Sequence, residues 1–285
     1  MANNPTQPCT SASEDTSKEV IASYLDQLLG FGQTAPVITR KIPVSVIESF
    51  VTPNSFKLFN ETLTCAHEDG YFVGPMIGWW EGLIPIRTVR KYKEEIPVSL
   101  KFRNELAKNL ETTQMQSKFH AFYLLIHILR HGKDEFITKY GDLVSLDLDR
   151  AKFKSNSPIT GPSINYTWCY TCYLDEGVYD IFQAVGPSQS PELRLGALMR
   201  DMLSHEDIFD NLWNPRLSFS LDERVQMLLD CIDNCIEKWG RENVLLNVKR
   251  SMTTKELVEY FVKNSVYKHQ NGQEGPSNLD FLNDI

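Results

Sequence analysis

The chain has 285 residues, of which 42% are hydrophobic and 23% are charged, and its formal net charge is −8 at pH 7. This composition supports a sizeable core in one large or two small domains, and it argues against a protein that coats nucleic acid, because such proteins are normally basic. The sequence shows neither a signal-peptide segment nor an apolar run of transmembrane length, which predicts a soluble cytoplasmic protein without membrane insertion and leaves a nuclear location open.

The first part of the chain is predicted to be a disordered arm followed by an α+β domain. Residues 1–17 are polar and aperiodic, which is typical of disorder. The α+β domain is predicted over 18–186 and starts with a short helix that ends at Gly30. Alternating apolar residues then predict short strands, beginning with Ile42, Val44 and Val46. Apolar residues at helical spacing predict one long helix over 99–130.

The end of this domain is predicted to be β-structure. One strand is indicated by alternation at Val144, Leu146 and Leu148. A second is indicated over 164–174, where aromatic and β-branched residues repeat with a period of two. The residues Asp175-Glu176-Gly177 fit a three-residue hairpin loop, so Val178–Val185 is expected to return as the partner strand.

The last third of the chain is predicted to be helical over 187–266, with a disordered acidic and aromatic tail over 267–285. Pro191 suits the first position of a helix. Ser220–Glu223 and Thr253–Glu256 each match a capping box, in which two side chains satisfy free amides at a helix start. The fold class is therefore α+β, with a β-containing N-terminal two-thirds that holds one long helix, followed by an all-helical C-terminal third.

The six cysteines are interpreted as reduced thiols, since no secretory signal accompanies them. In an extended strand Cys169 and Cys172 point to opposite faces, which disfavours a zinc or redox pair; the alternative is a zinc site that they share with Cys65 and His67. The remaining pair, Cys231 and Cys235, lies four residues apart on a predicted helix, where small buried hydrophobic side chains are expected.

Two further patterns could hold a metal ion. His120, His127 and His131 nearly share one helix face, but the glutamate of a metalloprotease helix is missing, so a satisfied or solvent-facing histidine face is favoured. Asp147-Leu-Asp149 follows a predicted strand and could hold a divalent ion for phosphoryl or nucleotide-sugar transfer. The same spacing also describes the solvent face of a half-buried strand, and no glycine-rich phosphate loop precedes it. No catalytic residue, metal or cofactor is therefore assigned.

The leading hypothesis is a non-enzymatic intracellular accessory protein that contacts a protein partner through its C-terminal tail. That tail alternates apolar and acidic residues, a pattern that can fold into a partner's groove. The partner-binding residues are predicted to be Leu279, Asp280, Phe281, Leu282 and Asp284.

Two alternatives remain. The first is a single-stranded nucleic-acid-binding protein, because aromatic rings that stack on bases lie near cations that meet phosphates. Its residues would be Trp79, Trp80, Arg87, Arg90, Lys91 and Lys93. The second is a metal-dependent transferase that uses Asp147 and Asp149.

Overall fold

The structure is a computed structural model that describes residues 10–49, 52, 70–78, 82–86, 107–126, 135–146, 148, 151, 153, 172–206 and 212–264. Within these ranges the chain forms seven α-helices and three small sheets. The predicted α+β class is therefore confirmed. None of the helices in the described ranges has the length and apolar character needed to cross a bilayer.

The strands are short and their pairing is mostly antiparallel. In chain order they are β1 (Val37–Pro43), β2 (Tyr71–Ile77), β3 (Ile84–Ile86), β4 (Glu135–Ile137), β5 (Leu143–Ser145), β6 (Leu174–Asp175) and β7 (Leu245–Leu246). β1 pairs with β2, from Val37 opposite Ile77 to Pro43 opposite Tyr71. β3, β4 and β5 form an antiparallel sheet in that order, and β6 pairs with β7 in parallel.

The helices supply most of the core. They are α1 (Thr10–Leu29), α2 (Val44–Glu48), α3 (Leu110–Leu125), α4 (Glu176–Val185), α5 (Leu195–Leu203), α6 (Pro215–Trp239) and α7 (Thr254–Asn264). One hydrophobic cluster extends from Val20 in α1 to Phe261 in α7 and includes Phe122 of α3, Phe182 of α4 and Leu221 of α6, all at most 2% exposed. The same core thus holds residues from before and after Gly186, while the division into 18–186 and 187–266 stays a prediction.

Helix ends follow the local chemistry of the sequence. The Asn109 side chain accepts a hydrogen bond from the Thr112 amide at 3.1 Å at the start of α3. The Thr253 side chain accepts from the Glu256 amide and the Glu256 carboxylate accepts from the Thr253 amide, so the predicted capping box of α7 is confirmed. Gly240 ends α6 with a φ of 83°, a conformation that glycine adopts without a Cβ clash.

The predicted hairpin at 175–185 is wrong, because this segment is helix α4. The Asp175 side chain accepts a hydrogen bond from the Val178 amide at 2.9 Å and caps the helix instead of starting a turn. The strand predicted over 164–174 is not continuous at its C-terminal end. Cys172 has a φ of 51°, which is not an extended conformation, and strand β6 is only two residues long. Residues 164–171 lie outside the described part of the chain.

Three other boundaries differ from the predictions. Val44 and Val46 lie in helix α2 and not in a strand. The predicted capping box Ser220–Glu223 lies inside α6, whose start is capped by Asn214. Of the long helix predicted over 99–130, the structure describes the part Leu110–Leu125 as helix α3. Helix α1 begins at Thr10, within the segment that was predicted to be disordered.

Candidate functional site

The cysteines are not free thiols. Cys172 and Cys235 form a disulfide between the segment before β6 and helix α6, with their sulfur atoms 2.05 Å apart. Cys231 is also disulfide-bonded, to a cysteine outside the described residues. The interpretation of the cysteines as reduced thiols is therefore wrong. So is the assignment of Cys231 and Cys235 as simple hydrophobic side chains, and a zinc site that includes Cys172 is excluded.

The histidine pattern does not form a metal site within the described residues. His120 lies on α3 and is 8% exposed, so it faces the protein interior. His127 and His131 fall outside the described ranges, as do Cys65, His67 and Cys169. In the part of the chain that the structure describes, no three His, Cys, Asp or Glu side chains converge on a point that could hold a metal ion.

The β4–β5 hairpin is the part of the chain that precedes Asp147 and Asp149. Its turn is closed by the Thr138 amide, which donates to the Asp142 carbonyl at 2.9 Å, and by the Gly141 amide, which donates to the Thr138 carbonyl at 2.8 Å. β5 then ends at Ser145. Leu148, which separates the two aspartates in the sequence, is 2% exposed and belongs to the core. The aspartates themselves lie outside the described residues.

The end of β5 is held from two sides. The Tyr123 hydroxyl of α3 donates to the Ser145 hydroxyl at 2.7 Å. The Ser145 amide donates to the Gln33 carbonyl at 2.8 Å, so the loop between α1 and β1 runs beside β5. Because α3 and this loop are each hydrogen-bonded to Ser145, the end of β5 is held in place two residues before Asp147 in the sequence.

A buried arginine fixes the end of α3. Arg224 of α6 is 2% exposed, and its guanidinium donates to the carbonyl of Leu125, the last residue of α3. Burial lowers the pKa of Arg224 to about 10, while the Glu223 carboxylate acts in the opposite direction. The group remains charged at neutral pH and compensates carbonyls that a helix end leaves without a partner.

A buried carboxylate organises the loop between α1 and β1. Asp26 is 3% exposed, and its Oδ2 accepts from the amides of Gln33 and Thr34 at 2.8 Å and from the Thr34 hydroxyl at 3.0 Å. Its Oδ1 is buried and has no hydrogen-bond partner among the residues that the structure describes. Burial raises the pKa of Asp26, although the three hydrogen bonds and the Lys118 ammonium oppose the change.

Asp26→Asn should therefore stabilise the protein at neutral pH. The change removes a buried charge and keeps an oxygen for the three hydrogen bonds, so we expect a gain of about 1 kcal/mol in the free energy of unfolding at pH 7. Because the pKa of Asp26 is raised in the folded state, this group stabilises the folded protein below the ordinary value of 3.8. That stabilisation is lost as the pH rises through the folded-state pKa. The difference between variant and wild type should accordingly shrink towards pH 3.8 in urea unfolding.

The matched control for this measurement is Asp230→Asn, since Asp230 is exposed on α6. It should leave both the stability and its pH dependence near those of the wild type. A loss of stability in Asp26→Asn at pH 7 would mean that the loop needs the ionised carboxylate.

The two predicted binding surfaces lie outside the described residues. These are the tail residues Leu279, Asp280, Phe281, Leu282 and Asp284, and the aromatic-basic residues Trp79, Trp80, Arg87, Arg90, Lys91 and Lys93. Their contacts are not tested by the structure.

The fold resembles those of hydra Fam20 and the Golgi casein kinase. A structure of hydra Fam20 with sugar matches with a TM-score of 0.58 at 17% identity, over 86% of this chain and 77% of that chain. The Golgi casein kinase matches with a TM-score of 0.58 at 15% identity, over 86% and 67% of the two chains. The same kinase with Mn/ADP bound matches with a TM-score of 0.55 at 15% identity, again over 86% and 67%. No protein-family model and no curated protein matches the sequence.

This finding corrects the leading hypothesis. The expectation of a non-enzymatic, cytoplasmic accessory protein is wrong, because the fold neighbours are Fam20 and the Golgi casein kinase. The metal-dependent transferase, which was the alternative, agrees better with the neighbours. Sequence reasoning also missed the disulfides, although an even number of cysteines and two glycosylation sequons, at Asn60 and Asn165, were available signals. The chain thus has the fold of the Fam20 and Golgi casein kinase structures.

Proposed function

We propose that this chain is a metal-dependent phosphoryl-transfer enzyme that works in the secretory pathway. The observation that carries the proposal is the fold likeness to the Golgi casein kinase, one structure of which holds Mn/ADP, over 86% of this chain. Phosphoryl transfer depends mainly on positioning and on neutralising phosphate charge, so a metal and the carboxylates that hold it are the parts such a fold must supply.

Asp147 and Asp149 are the residues proposed to hold the metal. Carboxylate oxygens are the ligands that Mg²⁺ and Mn²⁺ prefer, and the two aspartates directly follow a strand that is fixed on both sides. Asp147 and Asp149 would hold the ion, and a bound ion would supply positive charge against the charge that develops on the phosphate during transfer. The chain's own contribution is to hold the end of β5 through Tyr123, Ser145 and Gln33, which limits how far the carboxylates can move.

The disulfide supports the proposed compartment. Structural disulfides form and persist in oxidising compartments and are rare in the cytosol. Cys172 and Cys235 are 5% and 4% exposed, so their bond is shielded from reductants. The sequons at Asn60 and Asn165 are consistent with passage through the secretory pathway.

The test is a transfer assay with radiolabelled ATP and Mn²⁺, using casein and a simple glycoside as separate acceptors and counting ATP hydrolysis as transfer to water. We expect labelled product, and a loss of about 100-fold or more in Asp147→Asn and in Asp149→Asn, because one carboxylate of a metal site contributes several kcal/mol to the transition state. Asp201→Asn is the matched control, since Asp201 is exposed on α5.

Two results would overturn the proposal. One is a wild-type protein that neither transfers phosphate nor is stabilised against heat by Mn²⁺ and ADP. The other is transfer that survives both substitutions at the level of the Asp201 control.

A further inference from the structure

A cavity of about 420 Å³ lies between five segments of the fold. It is bounded by the loop after α1, the first half of α3, the β4–β5 turn, the end of β6 at Asp175 and the chain after β7. This volume is within the range of small-molecule sites in proteins. Leu143, at the start of β5, lines the cavity, and neither Asp147 nor Asp149 is among its lining residues in the described part of the chain.

The acidic groups of the lining are already engaged. The Glu111 carboxylate accepts from the amide and the hydroxyl of Ser251 at 2.9 and 2.8 Å and from the Met252 amide. Although burial alone would raise the pKa of Glu111, these hydrogen bonds lower it overall, so the group is ionised. Asp175 accepts from the Gln114 side chain at 2.7 Å, besides capping α4.

Lys118 is the cation that remains available in the cavity. The other cation, Arg250, is paired with Asp142 at 3.4 Å. The Lys118 ammonium forms no salt bridge within the described residues and lies 5.6 Å from the centre of the Phe31 ring. The Lys118 charge also acts on the Asp26 carboxylate, which is buried and accepts hydrogen bonds from the loop amides. Gly32 lines the same cavity and is exposed, and its amide donates to no acceptor within the described part of the chain.

The apolar part of the lining consists of Phe31, Met115, Leu143 and Val248, and Gln33 and Gln114 are its uncharged polar side chains. A ligand that fits must therefore place one acceptor group at Lys118 and bury an apolar body against these side chains. A doubly charged phosphate is disfavoured, because Glu111, Asp142 and Asp175 line the same cavity as a single available cation. A singly charged carboxylate meets both conditions.

We propose that this cavity is a binding site for a small carboxylate with an apolar or aromatic body, in which Lys118 and the Gly32 amide receive the carboxylate. This site does not depend on the proposed phosphoryl transfer, because it can bind its ligand whether or not the chain is a kinase.

The probe for the test is 3-phenylpropionate, with 3-phenylpropanamide as its uncharged counterpart, titrated into the intact protein by calorimetry. We expect the acid to bind and the amide to bind at least about tenfold more weakly, because a hydrogen bond to a charged group is lost. Lys118→Met keeps the apolar stem and should weaken binding of the acid by the same factor. Lys255→Met, on the exposed face of α7, is the matched control and should bind like the wild type.

A methyl spectrum of the protein locates the ligand. The Met115 methyl resonance should shift on addition of 3-phenylpropionate, whereas that of Met199, which is 0% exposed in the core, should not. The proposal is overturned if the acid does not bind at about 5 mM, a concentration that detects even millimolar affinity. It is equally overturned if acid and amide bind alike, if Lys118→Met binds like the wild type, or if the Met115 resonance stays in place.

Discussion

Replacing both Cys172 and Cys235 by alanine should lower the free energy of unfolding by about 4 kcal/mol, the value that chain entropy gives for a loop of this size. The two cysteines are 63 residues apart in the sequence, so their bond closes a long loop in the unfolded chain. Without it the unfolded ensemble gains conformations, while the native packing of two nearly buried side chains changes little. This is a large part of the stability of a typical domain.

Urea unfolding separates this effect from a loss of packing. A more expanded unfolded chain exposes more surface, so the dependence of the free energy on urea should become steeper in the double variant. Val225→Ala, at a fully buried position of the same helix, is the matched control and should lose stability with an unchanged slope. If the double variant unfolds at the wild-type urea concentration, the cross-link does not stabilise the fold. Peptide mapping under non-reducing conditions checks the pairing itself.

The helix ends that could be predicted are those at which the residues fit only one kind of local structure. Gly240 after a long apolar stripe predicts the end of α6, and Thr253 with Glu256 predicts the start of α7; the structure has both. Alternation also predicted strand structure at Val144, which lies in β5, although Leu146 and Leu148 continue as irregular chain.

Helix α4 was missed because the residues at its start suit both a hairpin turn and a helix cap. Asp175-Glu176-Gly177 suits a hairpin loop, but aspartate is equally a helix cap. The apolar residues after it decide between the two. Val178, Ile181, Phe182 and Val185 recur at the spacing of a helix face, and Val178 and Phe182 are buried in the core. The signal was present in the sequence at 178–185 and was outweighed by the turn residues.

The sequence offered Asp147 and Asp149 only as one alternative among several, and their role stays a prediction. The spacing of Asp147 and Asp149 after a strand indicated a possible metal ligand pair, and the same spacing is typical of any half-buried strand. The supports of that strand come from Gln33 and Tyr123, which are far apart in the sequence and meet only in the fold. The disulfide also joins residues that are far apart in the sequence, because Cys172 and Cys235 become neighbours only through the packing of α6.

Gly196→Ala should destabilise the protein by about 3 kcal/mol, the upper end of what forced overpacking costs. Gly196 lies in the first turn of α5, and a Cβ built on it would lie 2.2 Å from the Ser218 hydroxyl oxygen, 2.6 Å from the Ser218 carbonyl oxygen and 2.7 Å from the Ser218 Cα. The Gly196 amide also donates to the Asp222 carboxylate at 2.8 Å, so α5 cannot move away from α6 without losing that bond. Thermal and urea unfolding measure the loss.

A second substitution shows which atoms cause the loss. Ser218→Ala removes the hydroxyl but leaves the carbonyl oxygen and the Cα, so in the Gly196→Ala background it should restore only a minor part of the stability. Alone, Ser218→Ala should change the free energy of unfolding by less than about 1 kcal/mol. Full recovery in the double variant would show that the two helix backbones can separate easily. Partial recovery means that α5 and α6 touch backbone to backbone, an approach that only glycine permits at position 196.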